Sequence, residues 1–286
     1  MIVRLRTAAA ILLVFSVLPL GAAVTTLAPA RKGQRLLIVA PHIDDEGIAA
    51  GGYASDAIRN GAEVYVVYVT AGDHSRTALA ANRLTFYATA HFNHKGNVRL
   101  NEGLRAIERI GIDPANIYLL GYPDRGLKRM LLKPEAVTRS TSTGKKAVPY
   151  FQALTPGAPY RLDSVMSDME KVVALVKPDV IIAPAAADRH PDHRAVAVIV
   201  DRVIAAMSLH VEQLEYVIHS GLSSTSLQKA NSDATQQWVI YPLGADTLKR
   251  KQEMLSEYRS QHRSPYLKMI FHRTKTPREM FVGHHT

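Results

Sequence analysis

Four short, continuously apolar runs constrain the fold of this chain more than anything else in it: RLLIVA (35–40), EVYVVYVT (63–70), NIYLLG (116–121) and DVIIAP (179–184). None alternates apolar with polar residues as a strand with one wet face would, so each predicts a strand buried on both sides. Stretches of helical periodicity separate them. One is GIAAGGYASDAIRNG, which stops at Asn60-Gly61; the others run from about Val98 to Ile110 and from Asp163 to Val176. Two further runs, LEYVIHS (214–220) and QWVIYPL (237–243), predict additional strands, and ADTLKRKQEMLSEYRSQ (245–261) predicts a long charged helix. The pattern predicts an α/β fold: a Rossmann-like, doubly wound, mostly parallel sheet with helices on both faces. With 47% apolar and 21% charged residues in 286, one globular domain accounts for the chain from residue 31 to residue 286.

Residues 1–30 stand apart. Arg4 and Arg6 precede an apolar segment from Ala8 to Val24, the pattern of a targeting sequence. It predicts either a signal peptide cleaved after small residues or a retained N-terminal membrane anchor, and both place the rest of the chain outside the cytoplasm. The absence of cysteine excludes thiol catalysis and thiolate metal ligands. A formal charge of +10 favours anionic surroundings, but the basic residues are scattered and no aromatic-interleaved basic stripe is present, which argues against nucleic acid as a partner. Residues 124–162, rich in Gly, Pro, Ser, Thr and Lys, predict a long loop with a use in substrate contact. No glycine-rich dinucleotide turn follows the first strand, which argues against NAD.

Open α/β sheets hold their ligands outside the carboxyl ends of the strands. Two polar clusters fall there: PHIDDE (41–46) after the first strand and ADRHPDH (187–193) after DVIIAP. Taken singly, acids before a helix serve its positive N-terminus, and Asp192 could simply cap the next helix. Capping gives no reason for histidine in both. His42 and Asp45 from one cluster with His193 from the other supply two imidazoles and a carboxylate, a donor set that suits Zn²⁺ with one position left open.

These residues resemble the PIG-L/LmbE-like zinc-dependent N-deacetylases, in which a His-Pro-Asp-Asp-Glu-type motif follows the first strand and a His-Pro-Asp-His-type motif comes later. Here they read HIDDE (42–46) and HPDH (190–193), and the likeness continues through TAGD (70–73), RLNE (99–102), LGYPD (120–124) and EMLSEYRSQ (253–261). Ile43 stands where the family usually has proline. The resemblance implies that His42, Asp45 and His193 hold zinc and that Asp44 is the general base. It further suggests that His190 stabilises the oxyanion as an imidazolium, held by Asp192. Arg76, Asp124 and Arg189 are candidate contacts to substrate hydroxyls or phosphate. Arg99 and Glu102, one helical turn apart, read equally well as a helix-surface ion pair. Glu46 is expected to cap the helix or to support the ligands from behind, and His219 to be a core residue outside the site. The activity implied is removal of an N-acetyl group from an amino sugar in a glycan, glycolipid or small glycoside. The alternatives are a deacylase of longer N-acyl amides and a carbohydrate-binding module without catalysis.

Overall fold

The computed structural model describes residues 25–74, 89–219 and 237–284. The segment containing Arg4 and Arg6, and Arg76, lie outside these residues. No described helix is long and apolar enough to cross a membrane.

In chain order the strands are β1 (Thr25–Thr26), β2 (Arg35–Ala40), β3 (Glu63–Thr70), β4 (Ile117–Tyr122), β5 (Val180–Pro184), β6 (Glu212–Tyr216), β7 (Gln237–Pro242) and β8 (Arg278–His284). They form one sheet in the order β1-β7-β8-β6-β5-β2-β3-β4. From β6 to β4 all neighbours are parallel, and β8 runs antiparallel to both β6 and β7. The apolar runs explain the parallel part: Leu36 to Ala40 and Val66 to Thr70 are all buried, as strands covered on both faces must be.

The helices are α1 (Asp45–Arg59), α2 (Thr89–Arg109), α3 (Leu127–Leu132), α4 (Leu162–Val176), α5 (Pro191–Ala206), α6 (Ala245–Ser256) and α7 (Pro265–Arg273). On one face α6 packs against α1 and α2; on the other, α5 packs against α3 and α4. The α1–α6 contact is tight because α1 presents glycine there: a Cβ on Gly47 would lie 3.1 Å from the Met254 side chain. Within this contact an ion pair is inserted into α1. Lys251 Nζ donates to Ile48 O at 3.0 Å and to Glu279 Oε1 at 2.5 Å, while Glu279 accepts the Gly52 and Tyr53 amides at 2.8 Å each. Lys251, part of the basic run KRKQ, is therefore buried and not a surface charge.

Three differences from the sequence reading concern helices and loops. The predicted helix from Val98 begins at Thr89, and the predicted helix over 245–261 ends at Ser256. The 124–162 segment contains α3, and most of it is structural: Tyr150, buried, donates its hydroxyl to Asp73 Oδ2 at 2.7 Å, and the Ser142 hydroxyl contacts His74 Nδ1. Asp124 and Arg125, at its start, are the part that reaches the site.

The chain visits β2, β3 and β4 outward and then crosses back to lay β5 on the other side of β2. That reversal opens a crevice at the carboxyl ends of β2 and β5. It is where the loops carrying His42 and His193 meet.

Candidate metal centre

Each strand end at this crevice delivers one part of the site. The turn after β2 gives His42, Asp44 and Asp45; the turn after β4 gives Asp124; the loop after β5 gives Asp188 and His190, with His193 in the first turn of α5; and the segment after β6 gives His219. They line or underlie a cavity of about 500 Å³ whose other wall is apolar, made by Ile48 of α1 with Leu267 and Ile270 of α7.

Asp45 Oδ2 is the shared point. It lies 3.1 Å from His42 Nδ1 and 3.1 Å from His193 Nε2. The other nitrogen of each ring faces a further carboxylate: His42 Nε2 is 3.4 Å from Asp192 Oδ2 and 3.5 Å from Asp124 Oδ1, and His193 Nδ1 is 3.1 Å from Asp188 Oδ2. This is the arrangement that holds metal-ligating imidazoles, one nitrogen on an outer oxygen and the other turned to the ion. Asp188 is itself fixed by the His190, Ile218 and His219 amides, at 2.7, 2.9 and 3.1 Å.

Two observations test whether these residues fit a cation. His193 is fully buried, and although a carboxylate oxygen lies 3.1 Å from each ring nitrogen, neither contact has the alignment of a hydrogen bond. Leaving such groups unsatisfied is costly unless a ligand takes them. Charge points the same way. Burial works against a charged imidazole, but Asp124, Asp192 and Asp45 hold His42 well above its usual range, and Asp45 with Asp188 lifts His193 to about 9. The carboxylates favour positive charge where these rings converge. Three overlapping groups can supply ligand atoms within 4.8 Å of one another: His42, His190 and His193; Asp45, His193 and His219; His42, Asp124 and Asp192. A divalent cation fits this donor set.

Asp44 is not used as a helix cap. At the start of α1 its backbone takes φ 141°, a conformation rare for a side chain-bearing residue, and its carboxylate makes no capping bond. Instead Asp44 Oδ1 pairs with Arg99 Nη2 at 2.9 Å. Burial pushes Asp44 up to about 7, with Arg99 opposing. Arg99 and Glu102 are both buried and do not form the surface pair their spacing suggested. Arg99 reaches the Gly72 and Ile43 carbonyls, and Glu102 accepts from Ser260 N and Oγ at 2.8 and 2.7 Å. Gly72, at φ 63°, is required here because the guanidinium occupies the space of a Cβ. Glu46 accepts from the Tyr68 and Tyr258 hydroxyls and, at 3.1 Å, from the Asp44 amide, so it supports the turn from below.

His190 differs from expectation. The Asp192 amide donates to its Nδ1 at 3.3 Å, making that nitrogen an acceptor and placing the single proton on Nε2. Burial and the neighbouring imidazoles of His42, His193 and His219 push His190 down to about 2, so it is a neutral donor and not an imidazolium. The Asp192 carboxylate lies against His42 and accepts from the Arg125 amide at 2.6 Å, so it orients His42 where the sequence had assigned it to His190. Arg189 is exposed at the cavity wall with Arg125. His219 and Asp188 were missed from sequence. The sequence reading placed His219 inside the predicted strand LEYVIHS (214–220); the strand ends at Tyr216, which leaves His219 beyond the carboxyl end at this same sheet edge.

Asp73 sits behind the site, buried, with Oδ1 unpartnered. Burial, then Asp124, push it up to about 7 from 3.8, against the Tyr150 bond and Lys95. A carboxyl raised on folding contributes stability that is present below the unfolded value and lost as pH rises through the folded one. The stability of wild type relative to Asp73→Asn, measured by denaturant unfolding of metal-free protein, is therefore expected to fall as pH rises from about 4 to about 7. A gap independent of pH would show that Asp73 titrates normally.

Comparison with known proteins gives the following. The family model described as PIG-L: GlcNAc-PI de-N-acetylase matches residues 37–204. The 1D-myo-inositol 2-acetamido-2-deoxy-alpha-D-glucopyranoside deacetylase of Mycolicibacterium smegmatis is 24% identical over 217 residues, covering 73% of this chain and 67% of that protein. Among solved structures, a deacetylase of teicoplanin biosynthesis superposes with a TM-score of 0.59 at 17% identity, covering 87% of this chain and 97% of its own. The zinc-inhibited form of teicoplanin deacetylase gives 0.58 at 14%, with the same coverage. At these identities the solved structures share the fold.

Proposed function

The chain belongs to the PIG-L family of GlcNAc-PI de-N-acetylases, and from that premise we propose that it hydrolyses the N-acetyl amide of an amino sugar, with zinc held by His42, Asp45 and His193. The observation that carries the reading is the Asp45 carboxylate shared between two imidazoles whose outer nitrogens face Asp192, Asp124 and Asp188. Zinc, when bound, supplies Lewis-acid polarisation of the amide carbonyl and acidification of the attacking water.

The chain's own residues supply the rest. Asp44, next in sequence to a ligand and raised to about 7, takes the proton from the water as it attacks. Arg99, 2.9 Å from Asp44 Oδ1, fixes the direction of that carboxylate. His190 offers Nε2–H to the carbonyl oxygen as charge develops there, a role a neutral donor can fill. Asp44, once protonated, returns the proton to the amine as the C–N bond breaks. Asp124, Arg125 and Arg189 form the polar wall suited to sugar hydroxyls or an anionic substituent.

The apolar wall of Ile48, Leu267 and Ile270 supports a second reading, an N-acyl group longer than acetyl. The deciding experiment incubates the purified protein with a panel of N-acetylated and longer N-acylated amino sugars, measuring released acid and bound zinc on the same sample. Acetate release with zinc present is expected. Preference for longer chains would move the substrate class, and a protein that binds no zinc would remove the mechanism.

A further inference from the structure

His219 has no part in the reaction proposed for Asp44 and His190, yet it is built into the centre. The Ile218 and His219 amides donate to Asp188 Oδ2, the same oxygen that faces His193 Nδ1, so the position of His219 is tied to that of a ligand. Its ring stacks on Tyr266 of α7, with centroids 6.1 Å apart and planes 12° from parallel, and its Nδ1 lies 2.9 Å from the Tyr266 hydroxyl. That contact engages Nδ1 and leaves Nε2 for a ligand. On its other side the ring centroid is 4.7 Å from that of His193.

His42 and His193 follow one rule: one nitrogen on an outer oxygen, the other on Asp45. His219 matches the outer half of it, with the Tyr266 phenol in place of a carboxylate on Nδ1. Its ligand atom lies within 4.8 Å of those of Asp45 and His193. Donors on a tetrahedral zinc stand roughly 3.4 Å apart, so a separation of no more than 4.8 Å is closed by a shift of at most about 1.4 Å. We propose that His219 is a fourth protein ligand of this metal centre in the substrate-free protein, oriented by the Tyr266 hydroxyl and displaced when water and substrate take its position; the proposal rests on the zinc reading above. Tyr266 is 47% exposed at the cavity wall, which makes His219 the donor whose anchor is most open to an entering substrate.

The test measures zinc affinity by chelator competition, and the visible spectrum of Co²⁺-loaded protein, for wild type, His219→Ala, His219→Gln, Tyr266→Phe and His42→Ala. Circular dichroism of the metal-free proteins checks folding. Loss of an orienting partner typically weakens metal binding by about 10–100-fold. Tyr266→Phe is expected in that range, His219→Ala and His219→Gln at least as large, and both His219 variants should change the Co²⁺ spectrum. Affinity and spectrum unchanged in both folded His219 variants, with metal lost in His42→Ala, would overturn the fourth ligand and leave the centre standing. Full affinity in His42→Ala would instead overturn the zinc site itself.

Discussion

Asp44→Asn is expected to keep its zinc and to lose kcat by about 10²–10⁴-fold, the usual contribution of a positioned general base. The substitution is close to isosteric. The asparagine oxygen can still accept from Arg99, which stands 2.9 Å from Asp44 Oδ1 in the native site. The backbone amide of residue 44 can still donate to Glu46, and the carbonyl can still accept from Ile48 at 3.0 Å. Asparagine has the shape of the aspartate that already holds φ 141°, so the substitution adds no new backbone strain. What disappears is the ability to take a proton. If Asp44 served only to begin α1, the variant would shift stability slightly and leave turnover alone; the structure already speaks against that, since the side chain makes no capping bond. Steady-state acetate release and metal analysis on one preparation decide the matter. Turnover within threefold of wild type would take the base assignment away from Asp44.

The strands were legible because burial on both faces writes itself into sequence. EVYVVYVT coincides with Glu63–Thr70 and RLLIVA with Arg35–Ala40. β8 was not legible: REMFVGH carries no signal for an antiparallel insertion between β6 and β7, a pairing set by residues far away in the chain. The same distinction runs through the site. His42 and His193 could be paired from sequence because each follows an apolar run and the sheet edge joins them. The burial of Arg99 and its reach to Asp44 could not, since RLNE on a helix has the spacing of an ordinary surface pair. Only the path of α2 beneath the β2 turn, together with the room left by Gly72, makes Arg99 part of the site. The neutral state of His190 likewise depends on its burial and on the imidazoles of His42 and His219, two distant segments that the HPDH motif does not contain, beside that of His193 within it.

His193→Ala is the complementary case, and its largest effect should fall on the metal. The ring is fully buried, and it stands between Asp45 Oδ2 and Asp188 Oδ2 at 3.1 Å from each. Removing it deletes one donor and leaves two buried carboxylates without the group that separated them. Breaking a buried charged pair in this way costs about 3–5 kcal/mol, so a lower melting temperature is expected beside the loss of zinc. Activity should fall below detection, because Asp44 then has no acidified water to act upon. The two variants separate the roles. Asp44→Asn removes proton transfer and keeps the ion; His193→Ala removes the ion and keeps the base. Zinc bound at full stoichiometry in His193→Ala would mean that the ion sits elsewhere in the cluster, and His42, Asp124 and Asp192, whose donor atoms also converge within 4.8 Å, would be the set to test next.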